Sequence, residues 1–235
     1  MYVLVEHPLG LVTAGIDATP QAMHWLVNSP LGLVLLLNLF MLGVSRMRSL
    51  IFAAAAQGII LSGLLIVVEP KLDTIDICIA LLTMAIKGLV IPNMLLKALR
   101  DANIKREVEP LIGFLPSMLL GAAGTAAAIV FVRNLPITGA QASTLVIPAS
   151  FSTILTGFLL LTTRYKAITQ VIGYLILENG IYIFGMLLLA AVPFLVELGI
   201  LLDLFVGIFV VSIIIHHINE AFSSLDTRHL TALKE

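Results

Sequence analysis

The sequence predicts an all-α polytopic helix bundle in a membrane, with about seven transmembrane helices, its N-terminus outside and its C-terminus cytoplasmic. Three observations carry this. First, 60% of the 235 residues are hydrophobic and 11% charged, with a mean hydropathy of +1.10, far from the balance of a soluble domain. Second, the apolar residues fall in runs near the ~20 residues that a helix needs to cross a hydrocarbon core of roughly 30 Å. Third, these runs are too long and too uniformly apolar for barrel strands, which leaves helices as the structure that satisfies its own backbone in lipid.

Residues 1–28 contain Glu6, His7, Asp17, His24 and Trp25 but no Lys or Arg. They are too interrupted to span and predict a short extracytoplasmic amphipathic segment, with Trp25 at headgroup depth; the alternative is a floppy extension. No basic stretch precedes a short apolar core, so no cleaved leader is expected. A transmembrane domain over 29–217 follows. Its first span covers about 31–44 with its flanks and stops at Arg46 and Arg48; the second covers 51–68 and closes at Glu69, Pro70 and Lys71. The third, 76–99, has Lys87 at its centre, and Pro92 lacks the backbone donor that a straight helix needs, which predicts a kink. A charged loop over 100–109 leads to a fourth span at 111–132, where Gly121 and Gly124 suit close helix packing. The fifth span is 143–162, the sixth 167–189 and the seventh 195–215. Residues 218–235 form a polar cytoplasmic tail suited to docking on a partner, with a disordered end as the alternative.

The basic residues orient the chain. Arg46, Arg48, Lys97, Arg100, Lys105, Arg106, Arg164, Lys166, Arg228 and Lys234 fall on one face, while Lys71 and Arg133 fall on the other. The positive-inside rule makes the first face cytoplasmic, and this segregation holds for seven spans but not for six or eight. A weak repeat also shows: SRMRSLIFAAAAQGIILSG at 45–63 resembles TRYKAITQVIGYLILENG about 120 residues later. It suggests related units at 31–99 and 143–217 with the fourth span as linker, against chance similarity of apolar sequence.

Several function classes are excluded. There is no basic tract for nucleic acid. The single cysteine, Cys78, lies inside a span, so a Cys-rich metal or iron–sulfur site is not expected. With so little extramembrane chain, no catalytic centre of its own is expected.

Three ionisable side chains lie at mid-depth in apolar runs: Lys87 in TMAIKGLVIP, Glu178 in QVIGYLILENG and Asp203 in GILLDLFVG. Each costs about 2.5–3.5 kcal/mol at a helix centre, roughly 8–10 kcal/mol together if unpaired. Burial opposes their charged forms and mutual proximity favours them, so such a group can change protonation when a neighbour moves. The expectation is one polar axis in which Lys87, Glu178 and Asp203 form a proton relay, with Asn179 as its polar or water-binding neighbour. The bland alternative is a buried ion pair that fixes helix register. Asn38, Gln57, Thr83, Asn93, Ser117, Thr125 and Ser152 read as interhelical hydrogen-bonding groups. His216 and His217 read as interfacial residues rather than metal ligands.

LENG at 177–180, IKGLVIP at 86–92, the Asp203 segment and the closing LTALK at 230–234 resemble the hydrogenase-4 component E family, membrane subunits of formate hydrogenlyase and related group 4 nickel–iron hydrogenases. The resemblance runs from the first span to the last residues. It implies a non-redox, multi-pass subunit of the cytoplasmic membrane in a proton-translocating arm. The nickel–iron centre and iron–sulfur clusters would sit in partner subunits, with no cofactor in this chain. The implied partners are antiporter-like and quinone-site-like membrane subunits and a peripheral redox arm. The last three spans also resemble the K-type subunit of respiratory complex I and the C-type subunit of multi-subunit cation/proton antiporters. Asp203 falls where that family carries a glutamate. Its other glutamate would fall at Leu175, three positions before Glu178, nearly the same helix face about one turn away. Two rival functions remain: a subunit of a cation/proton antiporter, or an assembly module with no transport role.

Overall fold

Runs of Leu, Ile, Val and Ala bury their backbones in helical hydrogen bonds, and Gly, Pro and charged clusters punctuate them. The chain is seen in a computed structural model that describes residues 20–68, 74–101, 108, 110–133 and 145–185. The helices are α1 (Pro20–Gly43), α2 (Met47–Val68), α3 (Thr74–Ala85), α4 (Ile91–Asp101), α5 (Phe114–Arg133), α6 (Val146–Thr163) and α7 (Ala167–Gly185). A π-helical segment, Ile86–Val90, joins α3 to α4 without a break. Counting α3, the π segment and α4 as one span, six helices among the described residues are long and apolar enough to cross a membrane. The protein is thus an all-α polytopic helix bundle. The seventh predicted span at 195–215 with its Asp203, His216 and His217, most of the N-terminal segment and the tail at 218–235 lie outside the described residues.

Two boundaries differ from expectation. Helix α1 begins at Pro20, so residues 20–28 run into the first span rather than ending a separate segment; Pro30 sits inside α1 without stopping it. In the third span the distortion predicted at Pro92 as a kink takes the form of a wider turn just before it, where the Ile91 N–H donates to the Ile86 carbonyl five residues back. A proline has no N–H to give and its ring crowds the preceding turn, and a π turn relieves both.

The distribution of polarity is that of a protein surrounded by lipid. Phe52, Leu119, Phe131 and Phe158 are exposed, while Asn38, Gln57, Thr153, Glu178 and Asn179 are buried. Outward apolar side chains cost nothing against acyl chains, and buried polar groups hold the helices together. Two apolar clusters form. One, with Met47, Leu50, Ile51, Leu95, Leu160 and Ile172, occupies the end that carries Arg46 and Arg48. The other, with Leu31, Val34, Leu61, Leu64, Val146 and Ile183, occupies the opposite end. Between them lie the buried Asn38 of α1, Gln57 of α2, Ser152 and Thr153 of α6, and Glu178 and Asn179 of α7, so a polar layer crosses the middle of the bundle.

Helices α6 and α7 are antiparallel and touch through their backbones. A Cβ on Gly173 would lie 2.7 Å from the Leu161 nitrogen, one on Gly180 would lie 2.6 Å from the Ile154 nitrogen, and one on Gly157 would lie 2.6 Å from the Leu177 Cα. Gly121 and Gly124, read as close-packing positions, receive the Leu42 side chain of α1 and the Leu155 side chain of α6. Small residues at these contacts replace the hydrophobic drive that is missing between helices in lipid.

Gly173→Leu or Gly157→Leu should therefore force the hairpin apart and lower stability by about 3 kcal/mol or more. Gly32→Ala, where nothing lies within 4 Å of an added Cβ, should be neutral or stabilising by about 1 kcal/mol. Thermal unfolding in one detergent compares the three.

Candidate functional site

The polar layer is built from the π segment outward. The π turn carries Lys87, and the side of this span that faces α2 is crowded: a Cβ on Gly58 of α2 would lie 2.8 Å from the Lys87 Cβ. Glycine at 58 leaves room for the lysine stem to pass α2 and reach α7. There Lys87 Nζ lies 2.9 Å from Glu178 Oε1 and donates to Asn179 Oδ1 at 3.1 Å. The two charged side chains are 9% and 4% exposed. The ammonium also sits 5.7 Å from the centre of the Tyr182 ring. A buried carboxylate and ammonium this close offset each other's loss of hydration only when further hydrogen bonds complete them, and Asn179 supplies one.

From Asn179 the hydrogen bonding continues across the bundle. Asn179 Nδ2 donates to Gln57 Oε1 of α2 at 3.3 Å, and Gln57 Nε2 donates to Asn38 Oδ1 of α1 at 3.0 Å. Asn38 Nδ2 donates to Thr153 Oγ1 of α6 at 2.9 Å, whose own hydrogen goes to the Ala149 carbonyl at 2.7 Å. Nearby, the hydroxyls of Thr125 on α5 and Ser152 on α6 are 2.6 Å apart. Beside the pair a cavity of about 20 Å³ is lined by Ala54, Ala55, Gly58, Pro92, Lys87 and Asn179, among others. That volume suits one water molecule, and Lys87 and Asn179 give it a polar edge. Its lining residues lie toward the end of the bundle that carries Arg46 and Arg48.

Of the four residues expected to act together, Lys87, Glu178 and Asn179 meet in one place, and Asp203 lies outside the described residues. Asn38 and Gln57, expected as interhelical bonds in general, prove to be continuous with the ion pair. Thr153 completes the line and carried no sequence signal, since threonine is ordinary in such a helix. Ser117 instead bonds back to the Gly113 carbonyl, and Asn93 is exposed on α4.

A second buried cation escaped the sequence reading. Arg164, counted as one of the basic residues flanking a span, is 1% exposed. Its Nη2 donates to the Leu42 carbonyl at 2.9 Å, its Nη1 to the Ile112 carbonyl at 3.4 Å, and its guanidinium lies 5.2 Å from the Phe114 ring centre. Desolvation holds its pKa below the ordinary arginine value. The Leu42 carbonyl belongs to the last turn of α1, where the helix dipole favours a cation. Arg164 thus ties the ends of α1 and α6 to the approach to α5.

Lys87→Met should destabilise the bundle by about 3–5 kcal/mol, because it leaves the Glu178 charge buried without its ammonium. Lys87→Met combined with Glu178→Gln should recover most of that loss, and unfolding of the two variants in detergent gives the comparison.

The chain is 31% identical over 166 residues to the uncharacterized protein Rv0085 of Mycobacterium tuberculosis, an alignment that covers 69% of this chain and 74% of that protein. It is 28% identical over 218 residues to hydrogenase-4 component E of Escherichia coli K12, covering 89% of this chain and 97% of that protein. The component E proteins of Escherichia coli O157:H7 and Shigella flexneri align to the same extent. No family model matches the chain, and no solved structure matches it. On the extent and identity of the first alignment, this chain belongs to the same family as Rv0085.

Proposed function

We propose that this chain is a non-redox membrane subunit of a nickel–iron hydrogenase related to respiratory complex I, and that Lys87, Glu178 and Asp203, with Asn179 beside them, pass protons through it. The similarity to hydrogenase-4 component E along most of both chains supports the setting. The observation that carries the chemistry is the 2.9 Å contact between Lys87 and Glu178 in a polar layer enclosed by apolar clusters. Transfer along that contact breaks an N–H bond of Lys87, forms an O–H bond on Glu178 and leaves both groups neutral. In a low-dielectric interior the charged and neutral pairs are close enough in energy for a neighbouring charge to select between them. Water in the cavity beside Lys87 would give the lysine a route for reprotonation, and Asp203 would take the proton onward from Glu178.

On this reading the protein resides in the cytoplasmic membrane with antiporter-like and quinone-site-like subunits, and a peripheral arm holds the nickel–iron centre and iron–sulfur clusters. The part played by this chain is to bind and move protons, with no redox step of its own.

The test uses membrane vesicles that contain the assembled complex. Lys87→Met and Glu178→Gln should each lower proton movement by about a hundredfold while hydrogen oxidation with an artificial acceptor continues at the parent rate. Translocation at the parent rate in both variants defeats the relay. Loss of assembly in both, with no separate coupling defect, supports the assembly-module role instead.

A further inference from the structure

The outward face of the third span changes character partway across the membrane. Up to and through the π turn it presents Leu81, Leu82, Leu89 and Val90, all exposed, as acyl chains favour. Beyond the turn, α4 presents Asn93, Lys97 and Arg100, exposed at spacings of four and three residues and so on one helix face. Ile91, Leu95, Ala98 and Leu99 of α4 turn inward to the apolar cluster. An outward amide gains nothing from hydrocarbon, so this face asks for a polar neighbour.

The depths of the three side chains say which neighbour fits. Counted from Lys87 at mid-depth, with 1.5 Å per residue, Asn93 lies about 9 Å toward the basic end, Lys97 about 15 Å and Arg100 about 20 Å. Half of a hydrocarbon core is about 15 Å. Asn93 is thus just inside the boundary, Lys97 lies on it and Arg100 lies in the headgroup layer.

We propose that the outward face of α4 is a binding site for an anionic phospholipid of the cytoplasmic leaflet. Lys97 and Arg100 donate charge-assisted hydrogen bonds to its phosphate, the Asn93 amide donates to an ester carbonyl one layer deeper, and the acyl chains lie along Val90, Leu89 and Leu82. One helix face therefore meets phosphate, ester and hydrocarbon in the order in which a phospholipid presents them. Charge selects the kind of lipid. Helices α2 and α4 pack against each other, and Arg46 and Arg48, exposed at the start of α2, add positive potential at the same end of the bundle. Such a cluster attracts an anionic headgroup, whereas a zwitterionic headgroup brings a cation of its own. An acidic partner helix could satisfy Lys97 and Arg100, but it would need a second polar group at the depth of Asn93. A bound lipid would hold the basic end of the helix that carries Lys87.

The experiment titrates the full chain in dodecyl maltoside with phosphatidylglycerol or phosphatidylcholine and counts bound lipid by native mass spectrometry. The parent chain should retain phosphatidylglycerol at least tenfold more tightly than phosphatidylcholine, and glycerol 3-phosphate, which lacks the acyl chains, should not compete. Lys97→Gln combined with Arg100→Gln should weaken phosphatidylglycerol binding by about thirtyfold, the effect of two cations at an anionic surface. Asn93→Leu, which leaves every charge in place, should weaken it by about fivefold. Lys97→Arg combined with Arg100→Lys should stay within about threefold of the parent, and Arg133→Gln, exposed at the opposite end of the bundle, within about twofold. Equal retention of the two lipids, or unchanged phosphatidylglycerol binding in the double Gln variant or in Asn93→Leu, overturns the proposal. A parent chain that retains no phosphatidylglycerol also overturns it and leaves this face to contact with protein.

Discussion

An ammonium and a carboxylate held 2.9 Å apart inside a lipid-embedded bundle set the terms for everything around them. Neither ion is tolerable there alone. Each needs the other, and both need hydrogen bonds that do not move away. The π turn swings Lys87 out of the regular helical path, Gly58 clears space for its stem, and Asn179 takes a second N–H bond. Neighbouring features that look independent in the sequence, a proline, a glycine and an amide, are thus answers to one electrostatic demand.

The demand is met without softening the bundle. Apolar clusters close off the polar layer on both sides, and the α6–α7 hairpin that carries Glu178 and Asn179 is packed backbone to backbone through Gly157, Gly173 and Gly180. At the basic end Arg164 holds α1 and the approach to α5 against the start of that hairpin. The bundle also lends support at the opposite end, where Asn28 of α1 accepts from the Leu145 N–H that opens α6. The pair therefore sits on a frame that is pinned at both ends and in the middle, which holds Lys87, Glu178 and the amides beside them in one arrangement.

Much of the architecture was readable in the sequence because hydropathy alone decides where a chain can cross lipid. Lys87, Glu178 and Asn179 were readable for the same reason, as polar groups far from any span end. The line Gln57–Asn38–Thr153 was not. Each residue looks ordinary by itself, and only the mutual register of antiparallel helices brings them into sequence. Arg164 was misleading because a basic residue at a span boundary is what headgroup contact requires, whereas the short α6–α7 connection turns this one inward. Pro92 announced a disturbance in its helix but not its form, since a kink and a π turn answer the same missing N–H. Asn28 and Pro30 look like interruptions, yet α1 continues through both, with the Asn28 oxygen engaged by another helix.

The five-residue π stretch at 86–90 amounts to one inserted position in an otherwise regular span. Excising a single amino acid there would return the segment to ordinary 3.6-residue winding and swing the lysine roughly 100° around the axis, away from its carboxylate. The segment is consequently a place where chain length itself is under chemical control. Relatives that share the buried pair should share the extra position, while a shortened version would have to abandon both.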